Sequence, residues 1–244
     1  MSSSFLTLPV ELVYRILDNF ERLDIFLSIQ NVCTRFNIII STYTQYGTFT
    51  ELKLGSQLLN HRKIQLLAHA LQSNMTITSL NLECNKIQAE GIRYLAEMLQ
   101  NNTTLTTFDL GWNNVRDDGA QYLANALQNN TTLTILDLGW NYISDTGVHY
   151  LAYELQKNTT IKILKLGSNK ISAEGAQYLA QVLEIQTLIT FDLRENQISS
   201  IGAQYLAHAL QRNTTLIILD LRSNGIGTEG AQYLASAFPN NMVK

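Results

Sequence analysis

A repeat of 28 residues dominates this sequence and restricts its possible folds more than any other feature. Each copy holds a triplet in which two apolar residues flank a third residue, as in Leu136-Asp137-Leu138. An asparagine and then an aliphatic residue follow at fixed positions. One interval between successive triplets is 27 residues instead of 28. The missing residue falls in a loop, where a deletion destabilises the fold least. The six asparagines are Asn85, Asn113, Asn141, Asn169, Asn196 and Asn224.

Each copy predicts one strand followed by one helix. The triplet alternates with a period of two, which is typical of a short strand with its leucines turned inward. Behind it, apolar residues recur at the spacing of an amphipathic helix. Strands pack about 4.8 Å apart and helices roughly 8–10 Å apart, so stacked copies must curve toward the strands. The sequence therefore predicts an α/β solenoid, a horseshoe with parallel strands on its concave face and helices on its convex face.

This pattern, L-x-L-x-x-N-x-I, resembles the leucine-rich repeat, and within that family the long ribonuclease-inhibitor-like class. The resemblance covers about residues 50–241. A degenerate first copy starts at Leu52, with Gln57 in place of the asparagine and Lys63 in place of a helix glycine. Terminal repeats commonly depart from the template in this way. We therefore assign residues 48–244 to a leucine-rich-repeat domain of about seven repeats.

The N-terminal residues do not fit the repeat and predict a separate helical unit at 1–47. Pro9 suits a first helical turn, and apolar residues then follow at helical spacing in two stripes. About forty residues rarely bury enough surface to be stable alone, so this unit should dock on the repeats or on a partner. The motif elements are Leu8-Pro9-Val10-Glu11-Leu12, Ile16-Leu17, Asp24-Ile25 and Val32-Cys33-Thr34-Arg35-Phe36.

In order and spacing these elements resemble an F-box, with Ile25 in place of leucine and Phe36 in place of the commoner tryptophan. The resemblance implies a partner, the small adaptor subunit of SCF-type ubiquitin ligases. It also implies which residues would contact that ligase adaptor. They are Leu8, Pro9, Leu12, Ile16, Leu17, Val32 and Phe36.

Composition and motifs argue against several classes of function. The net charge of -3 does not favour nucleic acid or anionic membranes as partners. Two cysteines, Cys33 and Cys84, are too few for a disulfide framework or a zinc site, and they suggest a cytoplasmic or nuclear protein. The N-terminus has no signal-peptide pattern, and no apolar run is long enough to span a bilayer.

No catalytic constellation, phosphate-binding loop or metal motif stands out, so we expect neither an enzyme nor a cofactor. The histidines His69 and His208 share one template position on the outer face of a helix. Asn-x-Thr sequons recur once per repeat, and we interpret them as loop template rather than as glycosylation sites. They begin at Asn102, Asn130, Asn158 and Asn213.

The concave face is where the copies differ most, and so it is the predicted binding face. Trp112 and Trp140, the only two tryptophans of the chain, occupy matching positions in neighbouring copies, each after a glycine. Adjacent aromatic residues flanked by charges are typical of binding hot spots. The alternative is that both rings pack on the rim of their own repeats. The predicted target-binding residues are Trp112, Trp140, Lys165, Arg194 and Arg222.

Three functions fit this sequence. The favoured hypothesis is an SCF substrate receptor, in which the F-box-like unit docks on the ligase and the repeats capture a target protein, so that it acts through proximity. A plain leucine-rich-repeat binder, an inhibitor or scaffold of the ribonuclease-inhibitor type, is the first alternative. The second alternative, an activator of a small GTPase, follows from the similar repeat class.

Overall fold

The computed structural model describes residues 50–72, 74–185 and 187–237. Seven short strands form one parallel sheet in sequence order, β1 to β7. A helix follows each strand and packs against the helix of the next repeat. The strands are β1 Glu51–Lys53, β2 Ser79–Asn81, β3 Thr107–Asp109, β4 Ile135–Asp137, β5 Ile163–Lys165, β6 Thr190–Asp192 and β7 Ile218–Asp220. The helices are α1 His61–Gln72, α2 Gln88–Asn101, α3 Arg116–Leu127, α4 Asp145–Leu155, α5 Ala173–Leu183, α6 Ser199–Leu210 and α7 Gly227–Ala237.

The predicted α/β solenoid is confirmed for this part of the chain. The strands pair in the register of the repeat, so that Leu136 lies between Phe108 and Leu164. These side chains are fully buried between the sheet and the helices, and the same column continues along the array. The predicted F-box-like unit and its motif lie outside the described residues.

The recurring asparagine of the template is a structural link between repeats. Asn141 is fully buried, and its Oδ1 accepts hydrogen bonds from the backbone N–H groups of Asn113 and Val115 at 2.9 and 3.2 Å. Its Nδ2 donates to the carbonyl oxygens of Leu110 and Gly139 at 2.8 and 3.0 Å. A buried polar group needs such partners, and here the partners lie in the same and the preceding repeat. The ladder therefore fixes the register of the stack.

The sequon asparagines form a second ladder at the other end of the repeat. Asn130 is buried, donates to the carbonyl oxygen of Leu99 at 2.9 Å and accepts from the N–H of Leu133 at 2.8 Å. Asn102, Asn158 and Asn213 are buried in the same way. Their side-chain amides are engaged inside the fold, which agrees with their interpretation as loop template.

A third set of contacts links the N-terminal turns of three successive helices, α3, α4 and α5, in the middle of the array. The carboxylate of Asp117 accepts hydrogen bonds from the backbone N–H groups of Ser144 and Gly147 at 2.8 and 3.1 Å. Asp145 repeats this arrangement one copy later, on Ser172 and Gly175, at 2.7 and 2.9 Å. Acidic groups are favourable at helix N-termini, and these two cap the helix of the following repeat.

Candidate protein-binding surface

Three rows of side chains cross the concave sheet, because the same template position in each copy falls beside its neighbour. The first row is the middle residue of each triplet, the second lies two residues further on and the third directly follows the second. The first row reads Lys53, Asn81, Asp109, Asp137, Lys165, Asp192 and Asp220. The second row reads Gly55, Glu83, Gly111, Gly139, Gly167, Arg194 and Arg222, and the third reads Ser56, Cys84, Trp112, Trp140, Ser168, Glu195 and Ser223.

Three consecutive glycines in the second row form the floor of a groove, which we call the concave groove. Gly111, Gly139 and Gly167 are buried and carry no side chain that would fill the space above them. Glu83 and Arg194 close the two ends, and each leans over the nearest glycine. A methyl group on Gly111 would lie 3.6 Å from Cγ of Glu83, and one on Gly167 would lie 3.0 Å from Cγ of Arg194. The groove holds about 270 Å³.

Trp112 and Trp140 form one long wall of the concave groove. Their rings stack on each other with centroids 4.1 Å apart and planes 14° from parallel. They nevertheless remain 47% and 40% exposed. The rings therefore pack mainly on each other and leave a substantial surface open to solvent, instead of being buried against their own repeats.

Both tryptophans have a left-handed backbone conformation, with φ values of 57° and 59°. This conformation is unfavourable for a bulky residue. It is the geometry of the whole third row, and from Ser56 to Glu195 each backbone N–H in this row donates to the carbonyl oxygen of the second-row residue in the next repeat. For Trp112 and Trp140 these bonds reach Gly139 and Gly167, at 3.0 and 2.9 Å. The fold thus sets the backbone conformation, and it makes no demand for an indole.

The opposite wall carries charges that are paired unevenly along the groove. Nζ of Lys165 lies 2.9 Å from Asp137, and Nε of Arg194 lies 3.1 Å from Asp192. Burial disfavours the Lys165 ammonium, but the hydrogen bond to Asp137 and the nearby carboxylates outweigh this and raise its pKa. The β5–β6 end of the groove therefore contains cations that already have acidic partners.

The β2–β3 end has an excess of negative charge. Burial raises the pKa of Asp109, the hydrogen bond from Gly111 N–H opposes this, the negative charges of Asp137 and Glu83 raise it further, and the positive charge of Lys165 lowers it. Glu83 is exposed, and it forms no ion pair within the described residues. Nδ2 of Asn81 donates to Asp109 at 2.8 Å, but it is neutral. Two carboxylates thus lie at this end, and neither forms an ion pair within the described residues.

The Leucine Rich repeat family matches the chain at six segments, 73–96, 101–124, 129–152, 157–180, 184–207 and 212–235, together more than half of its length. The chain belongs to the leucine-rich-repeat family. Two solved structures resemble this leucine-rich-repeat protein. Leiomodin-1 actin-binding site 2 is 20% identical over 70% of this chain and 87% of that one, with a TM-score of 0.47. The C-terminal domain of Caenorhabditis elegans tropomodulin is 17% identical over 60% and 90%, with a TM-score of 0.48. No curated protein sequence matches.

Four of the five predicted target-binding residues meet in the concave groove of this leucine-rich-repeat protein. Trp112, Trp140, Lys165 and Arg194 all line it. Arg222 does not, because it lies beside β7 and is bound to Asp220, whose pKa it lowers mainly through the side-chain hydrogen bond. The predicted ligase-adaptor contacts lie outside the described residues. Whether the concave residues bind a target remains a prediction.

Sequence reasoning missed Glu83, Asp109 and the glycine floor. The aspartates recur in the repeat template, so no single one stands out, and Glu83 belongs to no motif. The missed signal was the register itself. When the second-row position is compared across the copies, three consecutive glycines lie between a glutamate and an arginine. This pattern predicts a groove that is closed at both ends by a charged side chain.

The described residues contain no group of three or more acidic, histidine or cysteine side chains that could hold a metal ion. No helix among them is long and apolar enough to cross a membrane. Cys84 is a free thiol on the concave side, and His69 and His208 are exposed on the convex helices. Leucine-rich repeats are protein-interaction modules, and the features found here fit that role.

Proposed function

We propose that this protein is a non-catalytic adaptor that captures a protein target in the concave groove. The observation that supports this most strongly is the exposed tryptophan pair. Two stacked indoles present a large apolar surface, at positions where the backbone disfavours any bulky residue and the fold needs none. Exposed aromatic surface of this kind usually has a partner.

We further propose that residues 1–47 dock on the adaptor subunit of an SCF-type ubiquitin ligase, which makes the chain a substrate receptor. The support is the F-box-like motif, from Leu8-Pro9 through Val32 to Phe36. A receptor of this kind needs two separate surfaces, one for the ligase and one for the target. The concave groove supplies a candidate for the second.

The ligase hypothesis is tested by capture of purified ligase adaptor with the full-length chain. Wild-type protein should retain the adaptor, and a Leu8→Ala, Pro9→Ala double variant should lose it while keeping its melting temperature. A Trp112→Asn variant is the matched control, and it should retain the adaptor fully. Failure of the wild-type protein to bind adaptor would refute the substrate-receptor role and leave the plain leucine-rich-repeat binder.

The target hypothesis is tested separately, by comparing proteins captured from a lysate by wild type, by Trp112→Asn and by the convex-face variant His208→Asn. A specific target should be lost with the tryptophan and kept with the histidine variant. Loss of one hot-spot residue typically costs about 2 kcal/mol or more of binding free energy. Equal capture by all three proteins would show that the target does not use the concave groove.

A further inference from the structure

We propose that the concave groove binds a basic segment of the protein partner and seats one arginine side chain against the free face of Trp112, next to Glu83 and Asp109. This inference rests on the proposed function and adds the chemistry of the partner. It depends on three independent features of the groove, which are the direction of the tryptophan stack, the position of the unpaired charges and the space over the glycine floor.

The tryptophan stack leaves one indole face directed toward the acidic end. The two rings lie on neighbouring repeats and are nearly parallel, with centroids 4.1 Å apart, close to the spacing of adjacent strands. The stacking axis therefore runs along the row, from strand to strand. One face of Trp112 is covered by Trp140, and its other face is directed toward the β2 repeat, which carries Glu83 and Cys84.

The third-row neighbour of Trp112 on this side is Cys84, which is small and exposed. On the other side of the stack, Ser168 lies beyond Trp140 and its Oγ donates to Glu195 at 2.8 Å. The space beside this face of Trp112 thus lies next to the repeat that carries Glu83, and Asp109 lies in the first row of the same repeat as Trp112. A planar cation stacks on indole and bonds carboxylates in its own plane.

The distribution of charge selects a cation over an anion. Lys165 and Arg194, the basic residues of the groove, already have ion-pair partners in Asp137 and Asp192. An anion would have to displace these carboxylates, whereas a cation beside Glu83 and Asp109 displaces no side-chain ion pair. A positive charge there would also offset the mutual repulsion of Asp109 and its acidic neighbours. The favourable occupant is therefore basic.

The groove is of the size of a single large side chain, not of a whole helix. Its volume is about 270 Å³, and its floor is formed by three glycines, which have no side chains to reduce that volume. Arginine fits these limits better than lysine, because its guanidinium is flat and has several donors in one plane. Lysine has the charge without this shape. The proposal therefore predicts a preference for arginine at equal charge.

The test uses the intrinsic fluorescence of the full chain, since its two tryptophans both lie in the groove. At low salt, the protein is titrated with a short blocked glycine–serine peptide that carries arginines. Matched peptides replace arginine with lysine, with neutral citrulline or with glutamate. The arginine peptide should change the emission saturably and bind at least about tenfold more tightly than the citrulline peptide. The lysine peptide should be intermediate and the glutamate peptide without effect.

Substitutions assign the response to the acidic end. Glu83→Gln and Asp109→Asn should each weaken the arginine peptide about threefold to tenfold, and Glu195→Gln, an acid at the opposite end, should change its affinity less than twofold. Circular dichroism confirms that the variants are folded. The proposal is wrong if the glutamate peptide binds as well as the arginine peptide. It is equally wrong if neither acidic substitution alters the affinity, or if no response appears up to about 1 mM peptide.

Failure here is distinguishable from failure of the proposed function. A target whose capture needs Trp112 but survives Glu83→Gln and Asp109→Asn together would preserve the concave groove as the binding surface and refute the basic partner. A target whose capture ignores Trp112 as well would refute both.

Discussion

Replacing Asn141 with alanine should be among the more costly single substitutions in the repeat array, and the cost can be estimated from its contacts. The backbone N–H groups of Asn113 and Val115 lose their acceptor, Oδ1 of Asn141. The carbonyl oxygens of Leu110 and Gly139 lose one donor, but both keep another. Leu110 still accepts from Nδ2 of Asn113, and Gly139 still accepts from the N–H of Trp112.

The net loss is therefore two buried, unpaired N–H donors. Each unpaired donor costs about 1–3 kcal/mol, and a water molecule that enters the space left by the amide would recover part of this. We expect a loss of about 2–4 kcal/mol in the free energy of unfolding. Urea denaturation followed by far-ultraviolet circular dichroism measures it, provided that the transition is a single cooperative one.

Two variants bracket this prediction. Asn101 is exposed and donates one hydrogen bond within its own helix, so Asn101→Ala should change stability by less than about 0.5 kcal/mol. Asn224, in the last described repeat, accepts only one long N–H bond, from Ile198 at 3.4 Å, so Asn224→Ala should cost less than Asn141→Ala. Equal losses for Asn141 and Asn101 would show that the ladder contributes nothing, and the argument from unpaired donors would fall.

Three further predictions concern single residues. Asp145→Ala should cost about 1–2 kcal/mol by removing the carboxylate that accepts hydrogen bonds from the N–H groups of Ser172 and Gly175 at the start of α5, whereas Asp118→Ala, on the exposed first turn of α3, should be nearly neutral in the same denaturation assay. Trp112→Asn should leave the melting temperature unchanged or raise it, because asparagine tolerates the left-handed backbone; a drop of several degrees would show that the indole supports the fold. Because the pKa of Asp109 lies above its ordinary value of 3.8, affinity for the arginine peptide should fall with decreasing pH as Asp109 takes up its proton, and Glu83→Gln should move that fall to lower pH. A flat affinity from neutral pH to pH 3.8 in the fluorescence titration contradicts the last of these.

The fold was predictable from sequence because every repeat has the same pattern of apolar residues and asparagine. The pairing of Leu136 with Phe108 and Leu164 follows from the period alone, and so does the burial of Asn141. The caps supplied by Asp117 and Asp145 were not predictable. These acids sit in the first turn of their own helices, and the helix dipole accounts for them there. Only the three-dimensional stack reveals that they bond the next repeat.

The candidate site was half predictable for a related reason. Trp112 and Trp140 differ from the template, so reading along the chain finds them. The groove arises from absent side chains at Gly111, Gly139 and Gly167, and glycine in one copy has several possible explanations. Its meaning appears only across copies, where Glu83 and Arg194 end the row. The excess of negative charge at the β2–β3 end likewise cannot be predicted from sequence, because it depends on which carboxylates form ion pairs in the folded protein.

The third row shows why this scaffold can change its partner without losing its fold. The same left-handed backbone holds serine, cysteine, tryptophan and glutamate in successive copies, and the N–H of each donates to the next repeat whatever its side chain. Side-chain identity in this row is thus largely uncoupled from the hydrogen bonds that hold the array together. A bulky side chain is unfavourable at a left-handed backbone position. When nearly half of that side chain stays exposed, its burial offsets little of this cost. The proposed role of Trp112 and Trp140 is therefore the binding of a partner, and an arginine side chain next to Glu83 is the occupant that we propose.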